Sequence, residues 1–587
     1  MRIPTQALVW HNTEGGAPSD ESRTLELTMR ASIPLTRPGT LQNLMSQDFS
    51  HNRRGSANLL LVLTCVSISV LIGMLGLLYW LGEGPTSSSV GNAQKDSKAL
   101  TIFCAAGLRY PLDQIVDDYT AAYGRPVSVQ YGGSNTMLSQ LTVGKNADLY
   151  IAADDSYTQL AEERNMVRER FPLASQRPVI VVRKQDPLGI TTVGDLAGKR
   201  IRYAIGDPEA TAVGKKTKQA LEQTDLWEPL ITGATVMKPT VNEIASAVSL
   251  GSIDAGIVWD STAAQYPELQ VIRDPRLEIN PANIEAAVTE YTDQPAAALH
   301  FARFLASADR GLPVFTARGF NVVAGDRWTE KPQLTFYVGA VNRRAIENAV
   351  NQFAEREGVT VNTVYNGCGI LTAQMRSMHA NNPSEFPDSF MACDTFYMRK
   401  VDDLFLEAVN ISDTDIVLVV KKGNPKEISS LSDLVRPGIR VALGQPRQCT
   451  IGILSKLLLD AEGIYEPLQQ SGNLVTETTS SALLLPNIIT GSADAVLAYR
   501  SDAAAVNDEI EILSIDSELA KAIQPYGIAK NSTSKRLSAR LFDSISAAKA
   551  DFLKHGFGWQ LTEGERPAIR DPQSRADNPP TNIDASP

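Results

Sequence analysis

The feature that most constrains this 587-residue chain is an internal duplication. Each copy of the repeat contains a tyrosine and glycines before a helix-like run, written YGGSNTMLSQL in the first copy and YNGCGILTAQM in the second. The matching pairs of segments, in unchanged order, are 100–141 with 334–375, 190–221 with 428–459, and 251–264 with 491–504. Self-similarity of this length predicts two copies of one domain, at residues 98–327 and 332–560.

Each copy has the pattern of an α/β fold. In the first copy, residues 99–106, 126–131 and 147–154 are short apolar or alternating runs typical of strands. Residues 112–123 place apolar side chains on one helical stripe, and a second helix-like run begins at Ser134. The β-α-β-α-β order predicts a parallel, doubly wound sheet.

The later segments of each copy predict a second lobe. Residues 177–184 and 199–208 begin new strands, and the helical run at 296–307 is expected to return to the first lobe. In open α/β sheets, ligands bind outside the carboxyl ends of the strands. We therefore expect a ligand cleft between the two lobes of each copy.

An uncharged run of 23 residues, 59–81, is long enough to cross a membrane as a helix. Arg53 and Arg54 precede it, so the positive-inside rule predicts a cytoplasmic N-terminus and an extracytoplasmic remainder. A cleaved signal peptide is the alternative. The expected segments outside the repeats are a disordered cytoplasmic region at 1–57, a single transmembrane helix at 58–82, a flexible linker at 83–97 and a disordered tail at 561–587.

Composition and motifs argue against several classes of protein. The formal net charge is −11 and basic residues occur in nothing longer than pairs, so nucleic acid is not an expected partner. None of the five histidines lies in a motif that pairs a base with a nucleophile, and the G-x-S-x-G pattern is absent. No Cys/His spacing indicates a zinc site. We predict no catalytic residues, no cofactor and no resident metal.

Ser134 is a candidate ligand contact in the first copy. It begins a helix, where unpaired N–H groups and the helix dipole favour an anion. The loops at 105–110, 131–136 and 205–214 are expected to converge beside it. Several aligned N–H donors can hold a small oxyanion without an arginine or lysine. The alternative is that Ser134 only caps its helix.

The ordered motifs LTIFCAAGL, YGGSNTMLSQL, ADLYIAADDSY, IGDPEATAVG and DAGIVW resemble those of the periplasmic molybdate-binding proteins, the type 2 solute receptors of ABC importers. The resemblance covers the first copy and, more faintly, the second. It implies two tandem type 2 periplasmic-binding-protein-like domains, a molybdate or tungstate ligand held by hydrogen bonds, and an ABC permease as partner. Carried over by position, the family's ligand contacts fall on Gly107, Ser134, Val213, Ile244 and Trp259.

The sequence departs from the family pattern in both copies. Gly107 has no hydroxyl where the family has serine, and Trp259 offers an indole N–H in place of a phenol. The counterparts in the second copy are Val341, Cys368, Ile451, Leu484 and Tyr499.

Three cysteines of the second copy, Cys368, Cys393 and Cys449, fall at strand ends that face the same predicted cleft. Outside the cytoplasm, two of them can form a disulfide, or all three can offer thiolates to a soft metal. The alternative is that they are unrelated small buried residues.

Two functions follow from these expectations. The first is a membrane-anchored solute-binding protein that captures an oxyanion for an ABC importer. The second is a sensor or docking protein built from degenerate solute-binding domains, redox-sensitive through the cysteines of the second copy.

Overall fold

A computed structural model describes residues 98–184, 188–198, 200–506 and 508–569. The expected cytoplasmic region 1–57, transmembrane helix 58–82 and linker 83–97 lie outside the described residues, as does the tail from residue 570 onward. Among the helices that are described, none has the length and apolarity needed to cross a bilayer.

The first copy alternates strands and helices. Its strands are β1 (Leu100–Ala105), β2 (Val127–Gly132), β3 (Leu149–Ala152), β4 (Val167–Gln176), β5 (Pro178–Arg183), β6 (Tyr203–Gly206), β7 (Val236–Lys238), β8 (Ala255–Trp259), β9 (Leu269–Ile272), β10 (Ala282–Thr289) and β11 (Asn321–Val322). Its helices are α1 (Arg109–Tyr123), α2 (Ser134–Gly144), α3 (Asp155–Glu163), α4 (Val193–Gly198), α5 (Ala212–Leu221), α6 (Trp227–Gly233), α7 (Val241–Ser249), α8 (Asp260–Ala263), α9 (Pro295–Leu305) and α10 (Gly311–Ala317).

These strands form two mixed sheets, one in each lobe. The first-lobe sheet has the order β11-β4-β10-β3-β1-β2, and the second-lobe sheet has the order β7-β6-β8-β5-β9. Strands β1, β2 and β3 are parallel as predicted, but β10 is antiparallel to both β3 and β4. The predicted parallel arrangement therefore holds for the first three strands, whereas the sheet as a whole is mixed. The reason is topological, because β10 brings the chain back from the second lobe and enters the first sheet from the opposite direction.

Helix α1 illustrates how the sequence fixes these elements. Leu112, Ile115 and Tyr119 lie on one stripe and are each about 1% exposed, which stabilises the lobe because apolar area is removed from water. The helix ends at Gly124, whose φ of 65° is a left-handed conformation that glycine adopts without a steric penalty. Its counterpart in the second copy ends at Gly358, also with a φ of 65°.

The second copy repeats this architecture. Its strands are β12 (Gln333–Gly339), β13 (Thr360–Asn366), β14 (Ser389–Met391), β15 (Val409–Lys421), β16 (Val441–Gly444), β17 (Leu474–Thr478), β18 (Ala495–Tyr499), β19 (Ile510–Ser514), β20 (Lys521–Ile528) and β21 (Gly558–Trp559). Its helices are α11 (Arg343–Glu357), α12 (Cys368–Asn381), α13 (Thr395–Met398), α14 (Thr450–Ala461), α15 (Tyr465–Ser471), α16 (Leu485–Ile489), α17 (Arg500–Ala503), α18 (Lys535–Ser546) and α19 (Lys549–Lys554).

Strand β15 joins the two lobes of the second copy. Its first half pairs with β20, and its second half pairs with β18 and β19, so the strands form a single ten-stranded sheet. In the first copy, the same path is interrupted at Arg177, between β4 and β5. The prediction of an α/β fold with two tandem copies is thus confirmed.

The two copies meet through buried ionic contacts. Glu357, at the end of α11, is 2% exposed and accepts hydrogen bonds from Arg303 of the first copy at 2.7 Å and from Arg540 of the second at 2.6 Å. Burial alone would raise the pKa of Glu357, but Arg540 and Arg303 outweigh it and hold that pKa below its ordinary value. Glu357 therefore remains a carboxylate that links α9 to α18.

Other contacts reinforce the same interface. Asp326 accepts hydrogen bonds from the N–H groups of Arg536 and Leu537, both at 2.8 Å. The Arg540 guanidinium also lies 4.3 Å from the ring centre of Phe171 in the first copy. A cavity of about 300 Å³ lies beside these contacts. It is lined by residues of both copies and is separate from the two ligand clefts.

Candidate functional site

The parallel strands of the first lobe bring three loops to one edge of the sheet. Ala105 at the end of β1 lies opposite Gly132 at the end of β2, and β3 flanks β1 on its other side. The residues that follow these strands include Gly107, Ser134 and Ala153, so all three lie at the carboxyl ends of the strands.

Ser134 is fixed in this edge by two hydrogen bonds. Its Oγ accepts from the Ala153 N–H at 3.2 Å, and its carbonyl oxygen accepts from the Tyr150 hydroxyl at 2.8 Å. The residue is 2% exposed and is the first residue of α2. Because Oγ acts as an acceptor here, the hydroxyl hydrogen remains available to donate to a ligand.

Two further helices begin on the opposite side of the cleft. Thr211 caps α5 by accepting from the Gly214 N–H at 3.0 Å, and Thr240 caps α7 by accepting from the Glu243 N–H at 3.3 Å. The first turn of a helix has four N–H groups without an intrahelical acceptor. Val213 and Val241 lie in those first turns, and the caps do not use their N–H groups. These two N–H groups can therefore donate to a ligand.

The two lobes of the first copy are in contact around these helix starts. The Asn135 N–H donates to the Ala210 carbonyl at 3.2 Å, and Asn242 Nδ2 donates to the Ala106 carbonyl at 3.1 Å. A methyl group on Gly133 would overlap the Ala210 carbonyl oxygen and lie 3.0 Å from that of Pro239. Glycine at position 133 thus permits the close approach of the two lobes.

Charged and polar side chains also cross the cleft at its side. Lys216 of α5 forms a 2.8 Å salt bridge with Asp154, which is fully buried. Lys215 donates to the Ser156 hydroxyl at 2.8 Å and lies over the ring of Tyr157. Both lysines are therefore engaged beside the cleft.

Gly107 lies among residues of the second lobe. A Cβ at this position would be 3.0 Å from Val241 Cγ1 and 3.7 Å from Trp259 Cδ1. Cδ1 is the ring carbon bonded to the indole nitrogen, so the five-membered ring of Trp259 lies beside Gly107. Trp259 is 1% exposed.

Thr262 is a candidate site residue that the sequence did not reveal. Its Oγ1 would lie 3.7 Å from a Cβ at Gly107, and within the described residues this buried oxygen has no hydrogen-bond partner. Buried hydroxyls nearly always have a partner, so an unpaired one beside the cleft marks a position where a ligand can bond. Gly107 stands where the resembling family has a serine hydroxyl, and Thr262 offers a hydroxyl next to that position.

The predicted contact Ile244 is placed differently from the others. It is the fourth residue of α7 and is completely buried, so its N–H is expected to bond to the Thr240 carbonyl within the helix. Val241, one turn earlier, contacts the Gly107 position. The structure thus brings Gly107 close to Trp259 and places Ser134 and Val213 in the first turns of α2 and α5, whereas Ile244 lies one turn further into α7 than Val241.

The second copy has a different set of groups in the equivalent cleft. Cys368 begins α12, and its Sγ accepts from the Cys393 N–H at 3.0 Å, as Ser134 does from Ala153. Its Sγ lies 2.7 Å from Cys393 Sγ. Cys449 belongs to the other lobe, and its Sγ donates toward the Thr478 carbonyl at 3.6 Å. Burial raises the pKa of the Cys449 thiol to about 11.

A soft-metal site formed by all three cysteines is not supported. Across the described part of the chain, no group of three or more His, Cys, Asp or Glu side chains is arranged to hold a metal ion.

The remaining counterparts also change the chemistry of the second cleft. Val341 is buried in the turn Ala340–Asn342, Ile451 lies in the first turn of α14, and Leu484 caps α16, a helix of five residues where α7 has nine. The Tyr499 hydroxyl is buried and has no partner among the described residues. Asp502 occupies the position of Thr262, and burial raises its pKa to about 6. A carboxyl group therefore replaces a hydroxyl in the second copy.

Comparison with known proteins finds similarity in both copies. A family profile described as bacterial extracellular solute-binding protein matches residues 100–321 and 334–559. The molybdate-binding protein ModA of Mycobacterium tuberculosis is 32% identical over 215 residues, which are 35% of this chain and 77% of that protein. ModA of Escherichia coli is 26% identical over 200 residues, 32% of this chain and 77% of that protein. The structure of the periplasmic molybdate-binding protein of Azotobacter vinelandii aligns with 38% of this chain and 98% of its own, at 20% identity and a TM-score of 0.34.

Proposed function

The chain belongs to the family of bacterial extracellular solute-binding proteins, and we propose that its first copy binds a small tetrahedral oxyanion of the molybdate and tungstate class and delivers it to an ABC permease.

The observation that carries this proposal is the convergence of three helix starts from two lobes. Helices α2, α5 and α7 begin at Ser134, Ala212 and Val241, and the contacts between Asn135 and Ala210 and between Asn242 and Ala106 bring these ends together. Each helix start carries partial positive charge and free N–H groups. Such an arrangement suits a compact dianion without a cationic side chain at the site.

Side-chain donors give the proposed site its selectivity. Ser134 contributes a hydroxyl, Trp259 an indole N–H and Thr262 a second hydroxyl. A hydrogen bond to a charged group contributes about 1.5 to 3 kcal/mol. Thr262 would replace the donor absent at Gly107, so the first copy retains enough donors for a four-oxygen ligand. Because the ModA relatives are molybdate-binding proteins, molybdate is the first ligand to test.

The second copy is proposed to have lost this activity. Asp502 brings a carboxyl group to the position of Thr262, and burial raises its pKa to about 6. Whenever that carboxyl group is ionised, its negative charge repels an oxyanion. The altered cleft favours a second role for this copy, as a docking or sensing domain that contacts another protein rather than the solute.

We also propose that the protein acts outside the cytoplasm, tethered by the apolar run 59–81 through the linker 83–97. The family description as extracellular supports an extracytoplasmic location. The tether would keep the receptor near its permease.

Titration calorimetry with molybdate, tungstate, sulfate and phosphate tests the proposal. We expect the wild-type protein to bind molybdate or tungstate, and expect Ser134→Ala and Thr262→Val each to weaken binding about 10- to 150-fold, because each removes a donor to a charged ligand. Ser139→Ala is the matched control, since Ser139 lies on the same helix but is exposed. Absence of binding by the wild-type protein at millimolar anion would reject the proposal.

A further inference from the structure

We infer that Cys368 and Cys393 form a disulfide bond in the mature protein, at the position where the first copy has the hydrogen-bonded pair Ser134 and Ala153. The inference rests on the extracytoplasmic location given under the proposed function, because disulfides persist in oxidising compartments. Of the three cysteines in the second copy, two form the bond and Cys449 remains a free thiol.

The two sulfur atoms are already close to bonding distance. They lie 2.7 Å apart, and both residues are buried, at 0% and 5% exposure. A disulfide bond is about 2.05 Å long, so closing it requires a movement of less than about 1 Å. The hydrogen bond from the Cys393 N–H to Cys368 Sγ fixes the two residues relative to each other.

A neighbouring substitution makes room for the pair. Gly339, at the end of β12, occupies the position of Ala105 in the first copy. A Cβ on Gly339 would overlap Cys393 Sγ and lie 2.7 Å from Cys368 Sγ. The second copy thus has larger side chains at Cys368 and Cys393 and a smaller residue at Gly339, which faces both. Compensating changes of this kind are expected if the two sulfurs are packed together specifically.

Cys449 is set apart from the pair by the direction of its thiol. It caps α14 in the second lobe and directs its Sγ toward the Thr478 carbonyl, whereas Cys368 and Cys393 both follow strands of the first lobe. A bond between Cys368 and Cys393 therefore links two loops of one lobe and adds no crosslink between the two lobes of the second copy. It also removes the polar group that corresponds to the Ser134 hydroxyl.

The bond forms most readily before the lobe is complete. Burial raises the pKa of the Cys393 thiol, which disfavours the reactive thiolate in the folded protein. We expect the oxidant to be the disulfide of an extracytoplasmic thiol–disulfide oxidoreductase. The two thiols lose two protons and two electrons as the Sγ–Sγ bond forms, and the disulfide of the oxidoreductase accepts them to become two thiols.

Peptide mapping of the full-length protein tests this inference. The protein is purified from bacterial membranes without reductant, denatured in an alkylating agent and digested with trypsin. Cleavage after Arg376 separates the peptides of Cys368 and Cys393, and Cys449 lies on a third peptide. We expect the first two peptides to be joined, and Cys449 to be alkylated. Treatment with dithiothreitol under denaturing conditions should release both peptides.

Two controls keep the result unambiguous. Cys449→Ser should retain the joined peptides, and Cys368→Ser should leave Cys393 alkylated. Alkylation of Cys368 and Cys393 in the unreduced wild-type protein, or a link from either to Cys449, would overturn the inference. The proposed oxyanion site in the first copy contains none of these cysteines. If the protein bound oxyanion but Cys368 and Cys393 were free thiols, the disulfide would be refuted and the proposed function would stand.

Discussion

Replacing Glu357 with glutamine is expected to destabilise the protein by about 3 to 5 kcal/mol, the usual cost of breaking a buried ion pair by removing one partner. Glu357 forms salt bridges with both Arg303 and Arg540, and all three side chains are at least nine-tenths buried. Glutamine cannot balance two desolvated guanidinium groups. The loss is expected at the interface between the copies, because Arg303 belongs to the first copy and Arg540 to the second.

Urea unfolding of the Glu357→Gln variant measures this loss. Glu347→Gln is the matched control, because Glu347 lies on the same helix but forms an exposed pair with Arg343, worth at most about 1 kcal/mol. The low pKa of Glu357 adds a pH test. Its carboxylate stabilises the fold above the ordinary pKa of 4.5, and this contribution is lost as pH falls through the lower folded value. Equal stability losses in the two variants would show that the interface does not depend on Glu357.

Replacing Gly133 with alanine is expected to weaken oxyanion binding about 10- to 100-fold with little effect on the stability of the separate lobes. Gly133 has a φ of −64° and a ψ of 148°, which alanine adopts without strain. With the two lobes in contact as in this structure, the added methyl group would overlap the Ala210 carbonyl oxygen. The substitution therefore opposes closure around a ligand.

Calorimetric affinity together with the melting temperature of the ligand-free protein checks this expectation. Gly194→Ala is the control, because a Cβ there meets its nearest atoms at 3.5 and 3.8 Å, which is ordinary contact. Unchanged affinity in Gly133→Ala would mean that binding does not require the closed arrangement of Asn135 and Ala210.

The sequence was sufficient to predict the tandem α/β architecture, because repeated blocks preserve the spacing of apolar residues in both copies. It did not predict the direction of β10, since strand direction depends on how the chain returns from the second lobe. Strand β4 was also missed. It reads VRERFPLASQ, in which charged residues interrupt the apolar pattern because part of the strand lies near the interface between the copies.

The sequence predicted where the candidate site lies but not all of the residues that form it. Ser134 and Gly107 follow strands whose ends are recognisable, so their common edge was predictable. Val241 and Thr262 were not, because their place beside Gly107 depends on how the second lobe approaches the first. Likewise, the sequence left three cysteines equivalent. The contact between Cys368 and Cys393 and the packing around Gly339 distinguish these two from Cys449.

We expect one oxyanion to bind per chain, at the helix starts of the first copy. Crystals of the protein soaked in tungstate and measured at the tungsten absorption edge test it most directly. We expect a single anomalous peak beside the starts of α2 and α5, with tungstate oxygens within hydrogen-bonding distance of the Ser134 hydroxyl and the Val213 N–H. A peak in the second copy or in the cavity between the copies, with none at Ser134, would contradict it.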